Sequence, residues 1–211
     1  MPTFDYFEYK VNEVKVMTVY IVRHGQSEAN EKGFHCGQNQ VPLTKKGEEE
    51  AENIGKLLRK IKFDKVYSSD LNRANTTGKI ALPEYEIEQL PLIREISVGS
   101  IDGRDKRELE RELGEPLIKN KRIFDFRDYG GENTEMVLER AKKFLDLLAE
   151  KGDETVAVFT HEVFIKSLFS AVLGVWVDIH NYICNNCSVM VLTYENEEWK
   201  LFSWNIQSNS I

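Results

Sequence analysis

The sequence has little cysteine, a deficit of positive charge and no long apolar run. Three cysteines in 211 residues are too few, and odd in number, for a disulfide framework, which points to a reducing compartment. Cys184 and Cys187 match a CxxC spacing, but no second Cys or His pair stands close by to complete a zinc site, so both read as structural residues. No apolar stretch approaches the roughly 20 residues that a membrane span needs. The opening MPTFDYFEYKVNEVKV also lacks the uninterrupted apolar region of a signal peptide. The cytoplasm is therefore the expected location. With 28 Lys and Arg against 35 Asp and Glu, the net charge of -7 argues against a footprint for nucleic acid or an anionic membrane. A small anionic ligand, held by a few local cations, stays open.

No repeat or low-complexity tract appears, and the length suits one domain able to bury most of the surface its unfolded chain exposes. Met17 could be the true start, which makes residues 1–16 an extension expected to hold at most a weak edge strand or an ordered tail. The β-branched run from Thr18 to Val22 predicts a central strand. Thr44 reads as the N-cap of an amphipathic helix over 45–61, with Ala51, Ile54, Leu57, Leu58 and Ile61 on its apolar face. DKVYSSD predicts a short strand, a second helix runs from about Asp70 to Ala81, and YEIEQL predicts another strand. Residues 97–133 are charged, with RDKRELEREL as a surface helix and GEPLIKNKRIFDFRDYGG as an irregular stretch, a segment placed to cover a site. Thr134 reads as the cap of the next helix, followed by the strand TVAVFT, the helix EVFIKSLFSAVL closed by Gly174, and a terminal hairpin made of SVMVLTYE and WKLFSWN. The fold class is α/β: a three-layer αβα sandwich with a mostly parallel central sheet.

Two histidines stand immediately after predicted buried strands, His24 in VYIVRHGQSEAN and His161 in AVFTHEV. Ligands in open α/β sheets bind beyond the carboxyl ends of the strands, so strands far apart in sequence can deliver two imidazoles to one place. Arg23 adjoins the first histidine, and Arg73 falls on the first turn of the helix after KVYSS. Two guanidiniums and two imidazoles suit a phosphoryl group, since Arg offers paired N–H donors and an imidazole can attack phosphorus without a metal. Gly25 is expected to let backbone N–H groups approach that anion.

These residues resemble the histidine phosphatase superfamily, also called the phosphoglycerate mutase-like family. RHGQSEAN, PLTKKGEEEA, YSSDLNRANTTG, LIREISVGSIDG, GGEN and VFTHEV resemble its motifs in order, from Met17 onward. The resemblance implies the phosphoglycerate mutase-like fold and a phosphoric monoester hydrolase that uses no cofactor or metal. It implies His24 as nucleophile, with Arg23, Arg73, His161 and Asn30 on the phosphoryl oxygens and Ser27 as a further phosphate contact. Glu95, which by itself reads as a solvated charge between two strands, becomes the general acid and then the base. The implied partner is a small phosphorylated substrate, and the terminal hairpin could support a homodimer.

The chain departs from the family pattern in places. Glu162 stands where most relatives have glycine, and a carboxylate there repels substrate unless it points away. Ile101-Asp102-Gly103 replaces a tryptophan-acid-glycine sequence, with Asp102 expected at the surface, and Gln40 stands where aspartate is common. His35 and His180 match no motif position and read as structural, while Cys36 is expected near the mouth of the pocket. Lys119, Lys121, Arg122 and Arg127 read first as a solvated face and second as contacts for another anionic group. Ile96 follows Glu95 where mutases have arginine, and HEVFIK departs from the mutase His-Gly-Asn-Ser-Leu-Arg. A phosphatase is thus preferred to a cofactor-dependent phosphoglycerate mutase, and a weakly active phospho-ligand binding module is the third reading.

Overall fold

Apolar, β-branched residues bury β1 (Met17–Arg23) at the middle of a six-stranded sheet, in a computed structural model that describes residues 16–175 and 181–208. The other strands are β2 (Lys65–Ser68), β3 (Glu88–Gln89), β4 (Thr155–Thr160), β5 (Val189–Glu195) and β6 (Glu198–Ile206), in the spatial order β3-β2-β4-β1-β5-β6. β1 to β4 run parallel, β5 is antiparallel to β1, and β6 is antiparallel to β5. The sheet is mixed but mostly parallel, and the last two strands form the expected hairpin. Both residues of its two-residue turn, Asn196 and Glu197, have positive φ, as the twist of a tight hairpin favours. Residues 1–15 and His180 lie outside the described residues, so the readings made for them are not taken further.

The helices are α1 (Glu28–Lys32), α2 (Lys45–Leu58), α3 (Asn72–Ala81), α4 (Lys106–Leu113), α5 (Glu115–Ile123), α6 (Thr134–Lys151) and α7 (Glu162–Leu173). Side-chain alternation splits the core between the two faces of the sheet. β4 sends Ala157 and Phe159 toward Ala51, Ile54 and Leu58 of α2, and Val156 and Val158 toward Phe144 of α6 and Phe164 of α7. Each such Val, Ile, Leu or Phe side chain, fully buried, contributes roughly 1.5–3 kcal/mol. Thr44 caps α2 by accepting from the Gly47 N–H at 3.1 Å, and Gly174, at φ 65, closes α7.

Three local expectations are corrected. YEIEQL supplies only Glu88–Gln89 as strand, an exposed edge that stops before Pro91. The cap of α6 is Asn133, whose Oδ1 accepts from the Met136 N–H at 3.0 Å, and Thr134 is the first helical residue. The stretch read as irregular contains α5, with Pro116 in its first turn and only Leu117 and Asn120 buried. Two inward residues are too few to register as a helical stripe.

Gly25 serves a purpose other than the one expected. Its N–H donates to Thr77 Oγ1 at 3.0 Å and is not free for an anion. A Cβ there would lie 2.4 Å from the Gly47 carbonyl oxygen, and one on Gly47 would lie 2.1 Å from that of Gln26. The pair of bare backbones lets the turn after β1 lie against the first turn of α2. Backbone cannot rotate aside as a side chain can, so Gly47→Ala is expected to lower stability by roughly 1–3 kcal/mol, read as a lower urea midpoint at unchanged m-value.

Candidate active site

In the parallel pairing of β1 and β4, Arg23 lies opposite Thr160, so His24 and His161 follow side by side. The His24 N–H continues the ladder to the Thr160 carbonyl at 3.0 Å, and the two imidazole centroids are 5.2 Å apart. Both rings are buried. Desolvation holds both well below the usual histidine pKa; Arg73 and Arg23 push His24 further, and Arg73, His24 and Arg23 push His161. Each imidazole is therefore neutral near pH 7. His24 Nδ1 lies 2.7 Å from the Gly25 carbonyl oxygen. A carbonyl can only accept, which assigns the proton to Nδ1 and leaves the Nε2 lone pair available. Both ring nitrogens of His161 are buried without a partner among the described residues.

Arg73, 2% exposed on the first turn of α3, donates to the carbonyls of Gly37 at 2.8 Å and Asn39 at 3.1 Å. That loop is held by Asp102, whose carboxylate accepts from the N–H groups of Gly37, Gln38 and Asn39 at 2.8 to 3.0 Å. Asp102 is thus a half-buried clasp, contrary to the expectation of a surface acid. Gln40 Oε1 accepts from the Asn72 N–H at 2.6 Å, so the departure from aspartate keeps an acceptor at the start of α3.

Arg23 is fixed by the segment that leads into β5. Its Nη1 donates to the Cys184 carbonyl, while its backbone bonds to Cys187 and Ser188 at 3.1 Å each. Asn186 Nδ2 donates to the His24 carbonyl at 2.9 Å. The CxxC segment therefore braces the Arg-His pair through backbone groups and Asn186. Its two thiols are buried and free, and burial pushes that of Cys184 up to about 11. Ser27 and Asn30 bind each other, Asn30 Oδ1 accepting from the N–H and Oγ of Ser27 at 3.0 Å each.

Glu95 is 7% exposed, not a solvated charge. Its carboxyl accepts from the N–H groups of Ile96 at 2.9 Å and Val163 at 3.2 Å. Burial raises its pKa, opposed by the Ile96 N–H and by Arg73, and Glu162 adds to the rise. Arg140 holds the backbone in front of it, donating to the carbonyls of Leu92, Arg94 and Glu95 at 2.8 to 3.3 Å. Arg140 pairs in turn with Glu132 at 2.9 Å, and Glu132 accepts from the Ser97 N–H at 2.8 Å. The only sequence signal for this frame was Glu132 inside GGEN.

Arg23, His24, Arg73, Glu95, Ser27 and Asn30 line one cavity of about 510 Å³, within the range of small-molecule sites. His161 does not line it and lies behind, against His24. Cys36 is in the wall, its thiol raised by burial. Lys121 and Arg122 also line it, whereas Lys119 is exposed outside and Arg127 pairs with Asp125 at 2.7 Å. Glu162 does not point away: it lines the cavity, pairs with Arg23 Nη2 at 2.9 Å and with Lys166 at 2.7 Å.

A family model described as histidine phosphatase superfamily (branch 1) matches residues 19–207. The chain belongs to this superfamily. A relative named probable phosphoglycerate mutase GpmB, of Salmonella paratyphi A, is 28% identical over 202 residues, covering 92% of each chain. Among solved structures of histidine phosphatase type, a phosphoglycerate mutase from Bacillus anthracis is 25% identical with a TM-score of 0.76, covering 93% of this chain and 96% of its own. A putative alpha-ribazole-5'-P phosphatase from Escherichia coli shares the fold at a TM-score of 0.80 and 24% identity, covering 90% of this chain and 96% of its own. Phosphatase and mutase chemistry thus surround this chain within one superfamily.

The carboxylate on Arg23 competes with any anion that the guanidinium could hold. Glu162→Gln keeps a hydrogen-bond acceptor for Lys166 and removes the charge, so it is expected to tighten binding of inorganic phosphate about three- to tenfold, on the order of 1 kcal/mol for a partly exposed pair, measured by titration calorimetry.

Proposed function

We propose that this chain is a phosphomonoesterase that hydrolyses a small phosphorylated metabolite through a phosphohistidine on His24. The observation that carries the reading is the 2.7 Å contact from His24 Nδ1 to the Gly25 carbonyl, which leaves an unprotonated Nε2 beside two arginines. The Nε2 lone pair forms the bond to phosphorus as the ester P–O bond breaks, and Glu95 gives its proton to the departing alcohol oxygen. Water then attacks the phosphohistidine, Glu95 takes a proton from it, and the N–P electron pair returns to Nε2. A carboxyl raised by burial is suited to start that cycle protonated. Arg23, Arg73 and Asn30, with Ser27, hold the phosphoryl oxygens, and His161, its ring centroid 5.2 Å from that of His24, offers a ring N–H to them once phosphorus is bonded to His24. Every proton in this scheme is carried by a group of the chain or by water.

Hydrolysis is preferred to the mutase reaction because Ile96 follows Glu95 and Glu162-Val163-Phe164 follows His161, where mutases carry other residues. A second reading, a phospho-ligand module of weak turnover, is favoured by the Glu162 carboxylate on Arg23. Turnover of an aryl phosphate by the wild type separates the two. Interconversion of 2- and 3-phosphoglycerate dependent on a bisphosphate primer would instead mark a mutase.

Two variants test the mechanism. His24→Ala is expected to abolish turnover and the acid-labile phosphoprotein trapped by rapid quench; retained turnover would remove His24 as nucleophile. Glu95→Gln is expected to slow alkyl phosphates roughly 10²- to 10⁴-fold but dinitrophenyl phosphate much less, because that leaving group needs no proton. Equal losses on both esters in the phosphorylation step would remove Glu95 as the acid.

A further inference from the structure

Glu95 stands on backbone that is irregular apart from two short 3-10 turns, Pro91–Ile93 and Gly99–Ile101. No strand ladder passes through it to set its distance from Arg73, which sits on a regular helix. Proton transfer to a departing oxygen requires that distance to be held, because the phosphoryl group is bound at the arginine and the proton leaves from the carboxyl. Arg140 grips the Glu95 backbone, but its partners tie that backbone to α6 and not to α3.

The loop 37–40 reaches both groups by alternation. Gly37 and Asn39 turn their carbonyls to Arg73, at 2.8 and 3.1 Å. The residues between and after them use side chains instead. Gln38 Nε2 donates to the Glu95 carbonyl at 3.1 Å. Gln40 Nε2 donates to the Asp70 carbonyl at 3.4 Å, and its Oε1 accepts from the Asn72 N–H at 2.6 Å. Asp70 stands just before α3, and Arg94 just before Glu95. Arg94 donates to both carboxylate oxygens of Asp70, from Nε at 2.7 Å and from Nη2, and its Nη1 donates to Gln38 Oε1 at 3.4 Å. Gln40, Asp70, Arg94 and Gln38 thus close a ring between the start of α3 and the backbone of Glu95. None of the four lines the cavity, and the two charges answer each other, so the ring acts on geometry and not on the field that a phosphate meets. A partly exposed ion pair adds little stability, but a planar fork on two oxygens fixes direction as well as distance.

We propose that Arg94, closed on Asp70 and Gln38, is a positioning residue that sets the separation of Glu95 from Arg73. The proposal rests on the reading that Glu95 protonates the leaving group of an ester whose phosphate lies at Arg73.

The test compares an alkyl phosphate, whose departure needs a proton, with dinitrophenyl phosphate, whose departure does not. Arg94→Met keeps the length of the stem and removes the fork; Asp70→Asn keeps one acceptor oxygen and is the milder variant. In Arg94→Met, kcat/KM, which reports the phosphorylation step, is expected to fall roughly ten- to a hundredfold on the alkyl ester, the scale of a misplaced catalytic group. The dinitrophenyl ester should lose much less, and the inhibition constant of inorganic phosphate should stay that of the wild type. Asp70→Asn should move the ratio of the two esters in the same direction and by less, and Arg94→Lys should restore part of it, since an ammonium keeps the charge without the fork. A loss shared equally by both esters, as a generally loosened fold gives, overturns the proposal, and so does an unmoved ratio. If Arg94→Met does not fold, Asp70→Asn decides by the same ratio. A wild type that turns over neither ester removes the hydrolase reading and the positioning role together; turnover by the wild type with a ratio that the variants leave unmoved removes the positioning role alone.

Discussion

In the parallel pairing of β1 and β4, each strand hands its last ladder position to a histidine, and the rest of the site is arranged around that adjacency. The strands are the two central ones of the sheet, covered on both faces, so the rings begin where the driest part of the protein ends. Their burial keeps both imidazoles neutral, and an uncharged imidazole is what a nucleophile at neutral pH requires. A one-residue slip of β4 against β1 would turn alternate side chains to the opposite face and separate the rings.

Around that pair the cations are fastened mainly by backbone carbonyls, not by acids. Arg73 gives its N–H groups to Gly37 and Asn39, Arg23 to Cys184, and Arg140 to Leu92, Arg94 and Glu95. Carbonyl acceptors hold a guanidinium in place without cancelling its charge, which preserves the field that an incoming phosphate meets. The acids act one step back: Asp102 fixes the loop that receives Arg73, and Glu132 fixes Arg140. Glu132 pairs with Arg140 outside the cavity, whereas Glu162 neutralises Arg23 within it.

The sheet and the long helices were legible from their apolar periods, and Arg23, His24 and His161 from standing at the ends of apolar strands. What escaped reading has a common cause. The partners of Asp102 are backbone N–H groups, which no residue identity reveals. Asn186 and Arg140 reach carbonyls distant in sequence, and α5 shows only two inward residues. Lys106 was read as part of a surface helix, yet it lines the same cavity as Lys121, 15 positions later. Glu162 was legible as a departure, but its direction was not, because that depended on Lys166 one turn along α7.

Lys166 is 6% exposed, and among the described residues its ammonium pairs with Glu162 alone. Positions 162 and 166 therefore behave as one unit of sequence. Exchanging Glu162 for the family glycine by itself would strand a buried cation, and exchanging Lys166 by itself would leave the carboxylate drawn more fully onto Arg23. A natural or engineered path from this chain to a glycine-type pocket is consequently a two-step path with an unfavourable midpoint, unless both residues change together.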